Sequence, residues 1–136
     1  MRFVDTNVLL FALGNERDEA KAAVARAILD DQDLGLSVQV LQEFYVQATR
    51  ESRDDALTHV QASRLVESFL RFPIQELTVE VVRAALATRD RYQLSYWDAA
   101  ILEAARALGC DIVLSEDLNS GQDYGGVRVE NPFVSV

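Results

Sequence analysis

The chain has 136 residues, of which 49% are hydrophobic and 26% charged, with a formal net charge of −9 at pH 7. This size and composition predict one globular domain spanning residues 1–136 and exclude a disordered chain. A single cysteine, Cys110, excludes an internal disulfide framework, and no apolar run is long enough for a membrane span. We therefore expect a soluble cytoplasmic protein without a membrane partner.

The acidic excess also bears on function. Proteins that bind nucleic acids without selectivity carry a basic excess, so the global charge excludes a generic binder of this kind. Most of the 22 acidic residues are expected to solvate the surface. Some of them could instead belong to a metal site, and a local group of arginines could still contact phosphate.

Short strands alternate with longer helices along the chain. Strands are predicted at residues 2–5, 34–37, 73–77, 111–114 and 127–130. Helices are predicted at residues 8–13, at about 17–30, after Ser37, at about 56–71, from Thr78 to about 91 and from Ser95 to Gly109. This alternation predicts an α/β fold in which a parallel sheet lies between helices. In such sheets ligands bind beyond the carboxyl ends of the strands.

Two acidic residues follow predicted strands. Asp5 follows the first strand, and Asp117 lies just past the strand at 111–114. Either could be no more than a helix cap or a loop residue. If the two strands are neighbours, however, both carboxylates face one crevice.

Two further acidic residues lie in apolar surroundings. Glu43 shares a helical stripe with Leu36 and Val40, so it is expected to project inward, or else to reach solvent or pair with an arginine. Asp98 forms an S-x-x-D capping box with Ser95, which is a purely structural explanation, yet the neighbouring residues are mostly apolar.

Four carboxylates in one crevice would repel each other unless a cation balanced them. Mg²⁺ or Mn²⁺ prefers oxygen ligands, and the near absence of histidine and cysteine argues against zinc. Such a site activates water and stabilises the charge that develops in phosphodiester cleavage.

Four short motifs occur along the chain in an order that resembles that of a PIN domain. In its length, the chain resembles specifically the VapC-type toxins of bacterial toxin–antitoxin pairs. The motifs are Asp5-Thr6-Asn7, Glu43, Trp97-Asp98-Ala99-Ala100 and Ser115-x-Asp117, and the resemblance covers residues 3 to about 129. Each motif is short, and their occurrence in family order carries the resemblance.

The resemblance implies a Mg²⁺- or Mn²⁺-dependent endoribonuclease whose products carry 5′-phosphate and 3′-hydroxyl ends. It implies that Asp5, Asp98 and Asp117 bind metal, that Glu43 acts through water, and that all four are catalytic. Thr6, Asn7 and Ser115 would fix the carboxylates. Glu116 is an alternative to Asp117. The implied partners are a cognate antitoxin, a second copy in a homodimer, and a structured RNA such as tRNA or rRNA.

Two other functions compete with this one. A catalytically inactive PIN-fold module that binds RNA or protein is the alternative, which the presence of all four acids disfavours. A phosphotransfer receiver domain needs a late lysine, whereas the only lysine is Lys21.

Several other residues have structural and functional interpretations. His59 is expected at the surface, and Cys110 is expected to be an inert buried thiol. Trp97 could stack on a base but is expected in the core. Four arginines near predicted helix ends could contact phosphates or complement helix dipoles: Arg50, Arg53, Arg89 and Arg91.

Overall fold

The structure, a computed structural model, describes residues 1–14 and 18–134. The strands are β1 (Arg2–Val4), β2 (Leu34–Ser37), β3 (Ile74–Gln75), β4 (Ile112–Leu114) and β5 (Arg128–Glu130). The helices are α1 (Thr6–Ala12), α2 (Glu19–Leu29), α3 (Val38–Ala48), α4 (His59–Phe69), α5 (Val79–Tyr92) and α6 (Tyr96–Leu108). The predicted start of α2 near residue 17 lies outside the described residues.

The five strands form one parallel sheet in the order β3-β2-β1-β4-β5. Phe3 of β1 aligns with Gly35 of β2 on one side and with Val113 of β4 on the other. The predicted α/β fold with a parallel sheet between helices is therefore confirmed.

The chain reverses its direction across the sheet after β3. β2 lies next to β1 and β3 lies beyond β2, whereas β4 lies on the opposite side of β1. Since parallel connections are right-handed, this reversal places the α5–α6 pair on the other face from the helices that precede β3. The crevice between the carboxyl ends of β1 and β4 is the switch point where open α/β sheets bind ligands.

The core lies on both sides of the central strands. Phe3 and Val4 of β1, Val113 of β4 and Val129 of β5 are fully buried, as near-continuous apolar strands in a covered parallel sheet require. A smaller cluster of Ala85, Ala99 and Ala100 joins α5 to α6, where small side chains let the two helices approach closely. The strands are thus held rigidly beneath the residues that follow them.

Hydroxyl caps fix the helix starts. The side chains of Ser37, Thr58, Thr78 and Ser95 each accept a hydrogen bond from the main-chain N–H three residues later. The predicted caps at Ser37, Thr78 and Ser95 are confirmed. Because α3 begins at Val38, Leu36 belongs to β2, so the predicted helical stripe of Leu36, Val40 and Glu43 was wrong at its first member.

Candidate active site

Asp5 lies at the switch point, immediately after β1. Its main-chain N–H donates to the Leu114 carbonyl oxygen at 3.1 Å, which continues the pairing with β4 by one residue. Its carboxylate accepts hydrogen bonds from the Thr6 main-chain N–H at 2.7 Å and from the Ser115 hydroxyl at 2.8 Å. The side chain is buried and also caps α1. Asp5 is therefore both a helix cap and a fixed carboxylate in the crevice.

The surroundings of Asp5 disfavour its charged form. Burial raises the pKa of the Asp5 carboxyl to about 6, against the opposing effect of the hydrogen bonds from Ser115 and Thr6. The negative charges of Glu43 and Asp117 raise it further. Three of the four predicted acids therefore share one electrostatic environment.

Glu43 is half-buried on α3 and faces the same crevice. One carboxylate oxygen accepts from the Gln39 side-chain amide at 2.7 Å, and the other accepts from the Thr6 hydroxyl at 3.3 Å. These two contacts tie α3 to α1. The sequence left an arginine partner open for Glu43, and within the described residues its partners are the neutral groups of Gln39 and Thr6.

The two acids after β4 point to different partners. Asn7 donates its side-chain amide to the Asp117 carboxylate, and the Asp117 main-chain N–H donates to the Ser115 hydroxyl at 3.2 Å. Glu116 instead forms a salt bridge with Lys21 of α2 at 2.8 Å. Of these two residues, it is Asp117 whose charge reaches Asp5.

Asp98 occupies the first turn of α6, where it is half-buried. Its main-chain N–H donates to the Ser95 hydroxyl at 3.1 Å, but the reciprocal contact from the Asp98 carboxylate to the Ser95 main chain does not form. The helix cap therefore does not use this carboxylate. The preceding Trp97 carbonyl accepts from Gln39 at 3.4 Å, so this turn of α6 joins Glu43 through one shared glutamine.

Trp97 corrects an expectation. The sequence placed it in the core, whereas its side chain is 66% exposed. Trp97 is the second residue of α6, at the end of the helix, where the other described elements leave most of its side chain uncovered. His59 is exposed and bonded to the Tyr45 hydroxyl at 2.8 Å, as expected of a surface histidine.

The donor set suits a hard divalent cation. The crevice brings oxygen ligands and excess negative charge around a buried carboxylate that lacks a cationic partner among the described residues. Within residues 1–14 and 18–134, no three acidic, histidine or cysteine side chains form a ready-made ligand group. The oxygen donors and the excess negative charge fit a divalent cation such as Mg²⁺ or Mn²⁺ in their chemistry, and the acidic side chains would have to come closer together to coordinate it.

A family model described as PIN domain matches residues 2–120. The chain belongs to the PIN-domain family. The resemblance inferred from Asp5, Glu43, Asp98 and Asp117 is thereby confirmed at the level of the family. A search of curated proteins found no match.

Solved structures show the same PIN fold. FitAcB from Neisseria gonorrhoeae is similar with a TM-score of 0.72 and 22% identity, covering 98% of this chain and 99% of that one. A toxin–antitoxin complex from Klebsiella pneumoniae gives 0.70 and 20%, covering 98% of each chain. VapC20 from Mycobacterium tuberculosis, described as a toxin that cleaves the sarcin–ricin loop, gives 0.63 and 22%, covering 86% of this chain and 90% of that one.

Two residues of this PIN domain's crevice were missed by sequence reasoning. Gln39 holds Glu43 and the Trp97 carbonyl, and its position one helical turn before Glu43 was the signal that could have revealed it. Lys21 holds Glu116 across 95 residues of sequence, and no local pattern announces such a pairing.

Proposed function

We propose that this PIN domain is a Mg²⁺- or Mn²⁺-dependent endoribonuclease and the toxin of a type II toxin–antitoxin pair. The observation that carries the proposal is the buried Asp5 carboxylate at the switch point, with the charges of Glu43 and Asp117 beside it. Nucleases of the PIN family generally use divalent metal ions, and binding such an ion is the role that we propose for this acidic crevice.

Asp5, Asp98 and Asp117 would hold the cation. When bound, the metal would lower the pKa of a water molecule and neutralise charge that develops on the phosphate. Ser115 and the Thr6 main chain restrain Asp5, and Asn7 restrains Asp117, so these contacts limit how far the carboxylates can turn.

Glu43 is proposed to orient the attacking water and accept its proton. Gln39 and Thr6 each bind one of its carboxylate oxygens, which fixes the plane of the carboxylate towards the crevice. Hydrolysis in this way would form a bond between the water oxygen and phosphorus and break the bond between phosphorus and the 3′ oxygen. The proton of the water would pass to Glu43 and then to solvent, and the departing 3′ oxygen would take a proton from solvent, which leaves 5′-phosphate and 3′-hydroxyl ends.

The substrate is proposed to be a structured RNA such as a tRNA or an rRNA segment. A net charge of −9 opposes indiscriminate attraction of RNA, so recognition must come from local contacts rather than from long-range charge. VapC20, one structural neighbour, is described as cleaving the sarcin–ricin loop, which supports a structured substrate of this kind.

The proposed partners are a cognate antitoxin and a second copy of the chain. The structural neighbour from Klebsiella pneumoniae is described as a toxin–antitoxin complex, and three others, one FitAB and two VapBC structures, are described as bound to DNA. Light scattering on the purified chain should give the mass of a homodimer, and a monomeric mass at all concentrations would remove that part of the proposal.

None of the helices in the described residues is long and apolar enough to cross a membrane.

The decisive test is a cleavage assay on total tRNA and rRNA in Mg²⁺, in Mn²⁺ and in EDTA. We expect metal-dependent cuts that disappear in EDTA and in the variants Asp98→Asn and Asp5→Asn. Asp90→Asn, which changes an exposed acid of α5, is the matched control and should cut like the wild type. Cuts that persist in EDTA and in both site variants would remove the catalytic assignment.

The inactive binding module is the second candidate. It is favoured by the absence of a ready-made three-ligand group within the described residues. A folded protein that binds RNA but leaves every RNA intact in Mg²⁺ and Mn²⁺ would establish it.

A further inference from the structure

A groove of about 450 Å³ opens beside Glu43 along the outer face of α3. Gln39, Glu43 and Val46 of α3 line it at helical spacing, Arg50 lines it just beyond the end of α3, and Trp97 of α6 also lines it. The groove is therefore continuous with the proposed active site at one end and reaches the end of α3 at the other.

Trp97 presents an aromatic face in this groove. Its indole is 66% exposed, which is costly for the largest apolar side chain in the sequence. Tyr96 packs edge-on against it with ring centroids 5.2 Å apart at 81°, and Gln39 binds its carbonyl. Gln39 therefore ties the main chain of Trp97 to α3, Tyr96 contacts the indole, and most of the indole surface stays open to an occupant of the groove.

Arg50 provides a cation at the far end. Among the described residues Arg50 forms no salt bridge, a property it shares with Arg64, Arg71, Arg83, Arg89 and Arg91. Of these arginines, Arg50 is the one that lines the groove. Arg50 lies two residues beyond the end of α3 and lines the same groove as Glu43. A cation at the other end of the groove from the catalytic carboxylate suits a phosphate neighbouring the one that is cleaved rather than the cleaved phosphate itself.

We infer that this groove binds a nucleotide next to the cleaved phosphate in a single-stranded segment of RNA, with Trp97 stacking on its base and Arg50 pairing with its phosphate. The inference rests on the proposed ribonuclease function. An aromatic face, side-chain amides and an unpaired cation are the combination that single-stranded nucleic acid uses. Because the net charge of the chain is −9, Arg50 gives this groove a local positive charge that can attract an anionic occupant.

The chain offers a direct readout, because Trp97 is its only tryptophan. We would titrate the full protein with short single-stranded oligoadenylate in EDTA, where a metal-dependent nuclease cannot cut, and follow the tryptophan emission. Stacking predicts saturable quenching. An abasic oligonucleotide of the same length, which has phosphates but no bases, should bind weakly and leave the emission nearly unchanged.

Variants separate the two contacts. By anisotropy of labelled oligoadenylate, Trp97→Ala should raise the Kd roughly tenfold, and Trp97→Phe should restore most of the affinity. Arg50→Gln should reduce the slope of log Kd against log salt concentration by about 0.7, as expected for one lost phosphate contact on a single strand. Val79→Ala and Arg83→Gln, at the opposite end of the α5–α6 pair, are matched controls that should change neither quantity.

The two hypotheses fail in different ways. Quenching by oligoadenylate without RNA cleavage in Mg²⁺ would support the groove and overturn the ribonuclease proposal. Metal-dependent cleavage with no quenching, and with the same KM in Trp97→Ala as in the wild type, would overturn the groove and leave the ribonuclease. Equal quenching by the abasic oligonucleotide would overturn the stacking assignment.

Discussion

At the scale of single residues, Asp5 stores unfavourable free energy in the metal-free protein. Because its pKa is about 6 when folded and 3.8 when unfolded, the folded state holds the proton more tightly. Its contribution to stability is complete below pH 3.8 and is lost as the pH rises to about 6. At pH 7.5 the cost is on the order of 3 kcal/mol.

We therefore expect Asp5→Asn to unfold at higher urea concentration than the wild type at pH 7.5 in EDTA. The gain in the free energy of unfolding should reach at most about 3 kcal/mol, since asparagine replaces the Ser115 contact imperfectly, and it should vanish near pH 4. A variant that is less stable than the wild type at both pH values would contradict this account of Asp5.

The Ser115 hydroxyl stabilises the charged form of the Asp5 carboxylate, whereas burial destabilises that form. It donates to Asp5 in a buried site and also accepts from the Asp117 main chain. Ser115→Ala should cost about 2 kcal/mol at pH 7.5, where the acceptor is ionised, and about half of that near pH 4.5. Urea unfolding at the two pH values checks this, and Ser68→Ala on exposed α4 should show no such dependence on pH.

At the scale of elements, two helices end in the left-handed region with different residues. The residue that caps the end of α5 is Gln93, with φ of 56°, and the residue that caps the end of α6 is Gly109, with φ of 86°. Nothing lies within 4 Å of a Cβ built on Gly109, so Gly109→Ala should cost about 1 kcal/mol from the backbone alone. Gln93→Gly should stabilise the protein by a smaller amount. Thermal unfolding of the two variants tests these predictions. A change in Tm of the same sign in both variants would contradict the backbone explanation.

Sequence periodicity predicted the elements well because every strand and helix carries local signals. β1 and β4 carry short apolar runs. Helices α3, α5 and α6 begin directly after Ser37, Thr78 and Ser95, the hydroxyl caps that the sequence marks. Trp97 was misplaced because periodicity reports which face of a helix is apolar, but not whether another element covers its first turn. The Ala99 and Ala100 positions beside it are buried, and the first turn of α6 is not covered in the same way.

The sequence indicated that Asp5 and Asp117 could share one crevice, but it did not indicate the side chains that hold the acids in place. Asp5 and Asp117 each follow a strand, which is visible in the sequence. The choice between Glu116 and Asp117 depends on Lys21, which lies on α2, and the sequence carries no information on that pairing. Cys110 was read correctly: burial raises the pKa of its thiol to about 11, which keeps it protonated at neutral pH.

At the scale of the whole molecule, the acidic crevice links metal binding to stability. A cation that binds only the folded state should raise the Tm with increasing Mg²⁺ at pH 7.5, by several degrees when the site is saturated. Sodium chloride at equal ionic strength controls for screening of the net charge of −9. Asp5→Asn should lose most of the response to Mg²⁺. An equal response in that variant would place the cation elsewhere.

The order of the strands also governs when the crevice exists during synthesis. β1 is made first, yet one of its two neighbours, β4, and the Ser115 hydroxyl that restrains Asp5 lie about 110 residues later. Until that segment leaves the ribosome, the central strand has an open edge and Asp5 lacks the Ser115 contact. The nascent chain therefore lacks a complete site until the segment that carries β4 and Ser115 has emerged.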